Sequence, residues 1–237
     1  MAHVAGFSIF NEQNYIQVDG AFQNIVLLQK IETTTYMADG RDKMSKAVVS
    51  APSGTICVAH HCTQPASIWG VEDIGGGRRV TLWCEVRGAV PITVYCFGFP
   101  PPPSAKLGLQ VFRADGSLAF STEYDYMRVA MTYKAPDFRA IYGQVLSMEP
   151  GRKYAVCQMS PSSVFTIKNE EAHNIGSYFV YRDGNCLGIA FPVPHQARMG
   201  DIAYLSSQSG WGGTVAPPEG GVYQEAVSLM FVDVTDF

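Results

Sequence analysis

The stretch Gly108-Leu109-Gln110-Val111-Phe112 repeats the pattern of Gly6-Phe7-Ser8-Ile9-Phe10, and the match continues without a gap to Val129 and Leu27. The offset stays at 102 residues, the spacing from Gly6 to Gly108. The apolar pairs at this offset are Phe7/Leu109, Ile9/Val111, Phe10/Phe112, Ile16/Leu118, Val18/Phe120, Phe22/Tyr124, Ile25/Met127 and Leu27/Val129. Because the core-facing pattern itself recurs, the sequence predicts an internal duplication.

A second repeated phrase marks the end of each copy. Residues 99–108 and residues 191–200 share Phe, two Pro, Ala and Gly at matching positions. The closing glycine of each phrase is also the glycine that opens the next unit. We therefore expect a first β unit over residues 1–107, a second over residues 108–199, and a C-terminal arm over residues 200–237.

Short alternating segments separated by Gly, Pro, Asn and Asp are typical of all-β sandwiches and barrels. The predicted strands are residues 8–10, 16–18, 55–59, 79–86, 92–97, 109–112, 118–120, 153–158, 164–167, 177–181, 187–191 and 226–234. The fold class predicted is all-β, with two tandem β-sandwich-like or small-barrel units and an arm that holds one strand. That final strand must pair within the chain or with a neighbour.

Two other segments are predicted as loops. Residues 37–50 have no clean apolar stripe of helical period, so we expect an exposed loop that holds at most one helical turn. Glu170, Glu171 and His173 carry acid and base groups, yet neighbouring residues on a strand point apart. A solvated loop is the favoured interpretation there.

The composition limits the classes of partner. Charged residues make up 16% of the chain and the net charge is −4, with no basic stripe of the kind that binds a nucleic-acid backbone. The N-terminus lacks the features of a signal peptide, and no apolar run is long enough to cross a bilayer. Synthesis in the cytoplasm is expected, and the six cysteines are expected to be free thiols.

A cluster of potential metal ligands occurs in Cys57-Val58-Ala59-His60-His61-Cys62. Thiolate and imidazole are ligands that zinc prefers, and Cys84 or Cys96 could complete a tetrahedral set around Cys57, Cys62 and a histidine. The alternative, buried strand cysteines with two histidines at a loop edge, is favoured. The matching stretch of the second unit has no histidine, so no metal or other cofactor is predicted.

No constellation of catalytic residues emerges from the rest of the chain. Gly75-Gly76-Gly77 lacks the spacing and the following helix of a phosphate loop, so a hairpin turn with solvated arginines is predicted. Residues 207–212 do not match the nucleophile elbow of serine hydrolases. We therefore predict that the protein is not an enzyme.

Aromatic residues in the C-terminal arm are the candidate interaction residues. Tyr204, Trp211 and Tyr223 could form a docking or sugar-stacking patch, since aromatic side chains anchor interfaces. They could equally hold the arm against the body of the protein.

The phrase from Gly108 to Phe120, with Tyr124 and Val129, resembles the opening of small β proteins from the tails of bacteriophages and prophages. Asn11 and Asp19 match that pattern in the first copy, whereas Asp115-Gly116 and Phe120 match it in the second. Arg113 and Ser121 depart from it. The resemblance covers about a fifth of the chain and implies a structural virion protein of the tail tip, baseplate or fibre.

Three functions are therefore carried forward as hypotheses. The leading one is a structural component of a phage tail tip or baseplate that brackets other tail proteins, and copies of itself, through sheet faces and the C-terminal strand. It would be made in the host cytoplasm and reside in the virion. The second is a module that binds a host receptor or carbohydrate. The third, a cell-wall hydrolase, requires two carboxylates at a defined separation, and the sequence positions no such pair.

Overall fold

The computed structural model describes residues 8–10, 16–19, 24–37, 45–84, 86, 88–104, 108–113, 115–135, 145–159, 163–168, 171–177, 179–183, 186–190, 195–198, 222–223 and 227–237. These residues form β1 (Ser8–Phe10), β2 (Ile16–Asp19), β3 (Val26–Thr34), β4 (Tyr36–Met37), β5 (Ser45–Pro52), β6 (Thr55–Cys62), β7 (Ala66–Asp73), β8 (Gly77–Cys84), β9 (Pro91–Gly98), β10 (Gln110–Phe112), β11 (Leu118–Ser121), β12 (Arg128–Ala135), β13 (Val145–Ser147), β14 (Tyr154–Gln158), β15 (Ser163–Lys168), β16 (Glu171–Ser177), β17 (Phe179–Asp183), β18 (Cys186–Ala190), β19 (His195–Arg198), β20 (Val222–Tyr223) and β21 (Val227–Asp233). Strands pair antiparallel throughout this part of the chain, and no helix occurs in it. The all-β prediction is confirmed for the described residues.

A six-stranded sheet forms the centre of the described structure, in the order β12-β21-β14-β6-β9-β3. We call β3, β9 and β6 the first half-sheet, and β12, β21 and β14 the second half-sheet. The two outer strands approach each other at one end, where Val26 bridges to Tyr126. The Leu27 amide donates to the Asp125 carbonyl at 2.8 Å, and the Met127 amide donates to the Ile25 carbonyl at 2.9 Å. The sheet therefore curls until its edges meet.

The inner face of this curled sheet encloses an apolar cluster to which both half-sheets contribute. Tyr95 and Phe97 of β9 are fully buried there, and so is Val232 of β21. The C-terminal Phe237 covers them, with its ring centroid 6.4 Å from that of Tyr95 and 6.1 Å from that of Phe97. The end of the chain is thus part of the core.

A seven-stranded sheet, ordered β13-β18-β17-β7-β8-β5-β4, accompanies the central one. Successive side chains of a strand face opposite sides of its sheet. In β5 and β8 of the seven-stranded sheet, every second side chain therefore points toward the first half-sheet. Val80 and Leu82 from β8 pack with Ile92 and Val94 from β9 in one buried cluster. The first half-sheet is therefore covered by apolar side chains on both of its faces.

Three smaller groups of strands complete the described structure. The hairpins β1-β2 and β10-β11 each form a two-stranded sheet, and a four-stranded sheet has the order β19-β16-β15-β20. Both hairpins carry a register shift within the first strand, between Ile9 and Phe10 and between Val111 and Phe112. The two shifts lie 102 residues apart, at the offset of the sequence repeat.

The C-terminal strand pairs on both edges within its own chain. β21 lies between β12 and β14, with Phe231 opposite Met131 on one side and Val156 on the other. Leu229 and Phe231 are fully buried. In this structure β21 is therefore an interior strand of its own sheet and not a strand offered to a neighbour.

The loop predicted over residues 37–50 is wrong from Ser45 onward, because β5 occupies Ser45–Pro52. Ser45, Ala47, Val49 and Ala51 are buried and alternate with more exposed residues. The inward side chains are small, so their period of two gives only a weak signal in hydrophobicity. The loop expected around Glu171 is likewise a strand, β16.

The predicted hairpin turn at Gly75-Gly76-Gly77 is confirmed, and a second turn is found at Gly116. The hairpin between β7 and β8 turns at Gly75, which has a φ of 76°, and Arg78 and Arg79 form ion pairs with Asp73 and Glu72. Gly116 has a φ of 82° in the turn between β10 and β11, a conformation that favours glycine.

Candidate functional site

The two half-sheets meet along a short seam between β6 and β14. Val156 lies opposite His60, and this register pair joins the halves. His61 places Nδ1 2.8 Å from the carbonyl oxygen of Tyr154 across the seam. Because few backbone pairs join β6 to β14, side chains supply much of the connection.

Gln158 links the seam to the seven-stranded sheet. Its Oε1 accepts a hydrogen bond from the backbone amide of Ile68, and its Nε2 donates to Ser67 Oγ at 3.0 Å. Ser67 is fully buried. The contact therefore fixes β14, from the second half-sheet, to β7.

The four metal-ligand candidates do not converge on one point. Cys57 packs in the interior cluster of the curled sheet, whereas Cys62 packs in the cluster between the two sheets. His60 Nε2 lies 3.1 Å from the carbonyl oxygen of Ala66, and His61 is engaged across the seam. Among the described residues, no group of three or more His, Cys, Asp and Glu side chains could hold a metal ion.

His60 is buried and its charge state is set by that burial. Removal from water lowers the pKa of His60 to about 4, because the charged imidazolium loses its hydration there. The side chain is therefore neutral at pH 7.

Cys57 and Cys157 form a close thiol pair at the seam. Their Sγ atoms are 3.2 Å apart, and the Cys57 thiol donates to the sulfur of Cys157. This hydrogen bond lowers the pKa of the Cys157 thiol, and together with burial it raises the pKa of the Cys57 thiol well above its usual range. Both side chains belong to the interior cluster, although Cys57 keeps partial exposure.

A row of aromatic side chains lies on the face of the seven-stranded sheet that points away from the central sheet. Trp83 lies opposite Lys46, and Lys46 lies opposite Tyr36 on the next strand. Trp69 contacts Trp83 edge to face, with ring centroids 6.4 Å apart, and Tyr36 is 50% exposed. Lys46 Nζ lies 5.6 Å from the Tyr36 ring centroid. Three rings and a cation are thus presented side by side, and we call them the aromatic row.

A groove of about 440 Å³ lies beside β12. It is lined by charged side chains, and its arginines are paired with carboxylates. Arg152 pairs with Glu149 at 3.1 Å and with Asp233 at 2.8 Å. Arg128 pairs with Asp236 at 3.1 Å. Since both arginines are matched by carboxylates, the groove has no excess of positive charge with which to attract an anion.

The interaction candidates of the C-terminal arm cannot be compared with this geometry. Tyr204 and Trp211 lie outside the described residues. Tyr223 belongs to β20, where its backbone pairs with Phe165 of β15.

Sequence reasoning missed the aromatic row and the thiol pair. A signal for the row was present in β8, where buried Val80, Leu82 and Cys84 alternate with Thr81 and Trp83 on the other face. Trp69 of the neighbouring strand lies beside Trp83, and contiguous aromatic residues on an outward face mark a candidate contact surface. No local signal could pair Cys57 with Cys157, because that contact depends on the long-range register of β6 and β14.

Comparison with protein-family models, curated proteins and solved structures found no significant match to this chain. Within the described residues, no helix has the length and apolar character needed to span a membrane.

Proposed function

We propose that this protein is a structural component of the distal end of a phage tail, at the tip or baseplate, where its sheet faces bracket neighbouring tail proteins. The sequence resemblance of residues 108–120 points to this class. The observation that carries the proposal is the order of the central sheet. Each half-sheet has an edge strand (β3 or β12), a middle strand (β9 or β21) and a strand at the seam (β6 or β14). Such a body offers two similar but distinct surfaces to different neighbours.

The proposal includes a duplication of the unit that builds each half-sheet, and two matching irregularities support it. The register of β3 against β9 shifts between Leu27 and Gln29. The register of β12 against β21 shifts between Val129 and Met131, again 102 residues later. Equivalent bulges at equivalent positions are expected of duplicated strands, because bulges are retained within families.

The contact surfaces in this proposal are the sheet faces, and they exclude the C-terminal strand. β21 already has a hydrogen-bonded strand on each side, so it cannot join a neighbouring sheet without leaving its own. Other tail proteins and copies of this chain are the proposed partners, and the virion tail is the proposed location after synthesis in the host cytoplasm.

Immunogold labelling of tailed particles from cells that encode the chain tests the proposal. We expect gold at the end of the tail distal to the head, and loss of complete tails when the gene is deleted. Unlabelled particles that remain complete and infectious after the deletion would refute a structural role.

The aromatic row favours a second candidate function, binding of a carbohydrate receptor on the host surface. Sugar rings stack on aromatic faces through their C–H groups, and polar neighbours such as Lys46 can hydrogen-bond the hydroxyl groups. On this proposal, Trp83→Ala abolishes binding of the purified protein to host cells or to their isolated surface glycans. Phe112→Ala is the matched control, because it removes a 53% exposed aromatic from the separate β10-β11 hairpin. Equal binding by the two variants would exclude the row as the receptor site.

A further inference from the structure

We propose that Cys57 and Cys157 form a disulfide bond that joins the two half-sheets covalently when the protein meets a disulfide oxidant. The two sulfurs are 3.2 Å apart, and they come from β6 and β14, the strands on either side of the seam. The bond would lie where the two halves are joined by few backbone pairs. It adds a modification site to the proposed structural role.

The positions of the two cysteines suit a bond across neighbouring strands. Both side chains point into the interior cluster, so they share one face of the sheet. A disulfide needs a sulfur separation of about 2.05 Å, so the atoms must approach by roughly 1 Å. The backbones of β6 and β14 are held in place by pairing with β9 and β21 on their other edges. The movement is therefore expected to come from rotation of the two cysteine side chains.

Three other cysteines, whose side chains the structure describes, are placed differently. Cys62, Cys84 and Cys96 are buried in the cluster between the two sheets, on the opposite face of β6 and β9 from Cys57. Cys62 and Cys84 are neighbours there and constitute the rival pair. Among the five cysteines whose side chains the structure describes, Cys57 keeps partial exposure and the others are buried, so of these an oxidant from solvent reaches the Cys57–Cys157 pair most readily.

The thiol pair has the arrangement needed for stepwise exchange. The hydrogen bond from Cys57 favours the thiolate on Cys157, and the thiolate is the nucleophile in this chemistry. Cys157 attacks one sulfur of a low-molecular-weight disulfide, which releases one thiolate and leaves a mixed disulfide. Cys57 then loses its proton to the released thiolate and attacks the Cys157 sulfur, which expels the second thiolate. That thiolate takes up the equivalent of the proton that Cys157 gave to water when it ionised. Two protein thiols are oxidised, and the small disulfide is reduced to two thiols.

The bond stabilises the folded protein because it restricts the unfolded chain. It closes a loop from residue 57 to residue 157, and long loops lose much entropy in the unfolded state when they are closed. If the proposed function holds, the chain is made in a reducing cytoplasm and the bond forms after release of the virion, a timing that rests on that function.

Peptide mapping of the full chain tests the bond directly. The protein is purified under reducing conditions, desalted, and treated while folded with excess oxidised glutathione. Mass spectrometry after non-reducing proteolysis should then detect a linked pair of peptides that contain Cys57 and Cys157. Thermal unfolding should shift upward by about 5 to 15 °C and return after reduction with dithiothreitol.

Two variants separate this bond from other oxidation. Cys157→Ala should lose both the linked peptides and the thermal shift, whereas Cys96→Ala should keep both. A link between Cys62 and Cys84 alone, or free Cys57 and Cys157 thiols after oxidation of the folded wild type, overturns the proposal. The wild-type mapping decides the question even if a variant does not fold. It uses purified protein, so its failure is distinct from a failure to label phage tails.

Discussion

At the scale of single residues, His60 makes the stability of the protein sensitive to mild acid. The pKa of the folded histidine is about 4, below the value near 6.5 of an unfolded chain. Between these values the unfolded state binds more protons, so the contribution is complete above pH 6.5 and declines as the pH falls toward 4. We expect His60 alone to remove about 2 kcal/mol from the free energy of unfolding between pH 7 and pH 5.

Urea unfolding of wild type and His60→Gln at the two pH values measures this loss. Glutamine is the replacement of choice because it keeps a hydrogen-bonding side chain near the Ala66 carbonyl oxygen and does not titrate. The variant should lose less stability than wild type on acidification. Equal losses in the two proteins would show that His60 is not the titrating group.

Asp233 is a second residue whose partners predict a measurable effect. It accepts hydrogen bonds from the Thr235 amide at 3.0 Å, from Thr235 Oγ1 at 2.6 Å and from Arg152 at 2.8 Å. Burial by itself raises the pKa of Asp233, but these hydrogen bonds and the charges of Arg128 and Arg152 outweigh it and lower the pKa. The stabilisation is therefore present at neutral pH and is lost as the pH falls through the folded pKa.

We expect Asp233→Asn to lower the free energy of unfolding at pH 7 by about 1 to 3 kcal/mol, since the Thr235 and Arg152 donors lose a charged acceptor that is itself buried. Asp236→Asn is the matched control. It breaks the ion pair with Arg128, but its carboxylate is 72% exposed. Exposed pairs contribute roughly 0 to 1 kcal/mol, so chemical denaturation should rank the two variants clearly. Similar losses of stability in the two variants would show that the hydrogen bonds to Asp233 contribute no more than an exposed ion pair.

At the scale of elements, β21 is predicted to be indispensable for the second half-sheet. Its removal would leave β12 and β14 without a common partner and would expose the surfaces that Leu229 and Phe231 bury. We expect a chain that ends at residue 223 to lose cooperative thermal unfolding. Addition of a peptide of residues 224–237 should restore it in a concentration-dependent manner.

The matched peptide carries Phe231→Ala. Loss of a buried Phe costs about 3 to 5 kcal/mol, so this peptide should bind at least about 100-fold more weakly. Fluorescence anisotropy of labelled peptides provides the affinities. A truncated chain that unfolds at the wild-type temperature without peptide would contradict the role of β21.

The elements also show what the sequence could and could not predict. β9 and β14 were predicted to within a residue or two, because apolar residues are concentrated there and turn residues bound them. β5 was missed because its buried side chains are Ser, Ala and Val. The partners of β21 could not be predicted, since local patterns hold no information about which strands, roughly 70 to 105 residues earlier in the chain, will flank it.

The same limit applies to the candidate sites. His60 and Cys57 are three residues apart in sequence, yet strand alternation directs them to opposite faces of β6. The sequence proximity that suggested a metal site is therefore misleading. Cys57 and Cys157 are 100 residues apart and lie in contact, because the register across the seam decides their distance.

At the scale of the whole molecule, the continuous central sheet predicts that both halves unfold together. The interior cluster contains residues from both half-sheets. Phe237, which follows β21 of the second half-sheet, packs on Tyr95 and Phe97 of β9 in the first half-sheet. An isolated half would expose that cluster, which makes a half-folded state unfavourable. A lesion in one half should therefore destabilise the other by the same amount.

Tryptophan fluorescence can report on one half while the other is altered. Trp69 and Trp83 belong to the sheet that covers the first half-sheet, and Trp211→Phe leaves them as the only tryptophans of the chain. Phe231→Ala damages the second half-sheet, by about 3 to 5 kcal/mol. In the Trp211→Phe background, this change should lower the fluorescence midpoint in urea as much as the midpoint from far-ultraviolet circular dichroism. An unchanged fluorescence midpoint beside an earlier dichroism transition would mean that the halves are independent, and the seam would then be a joint between separate domains.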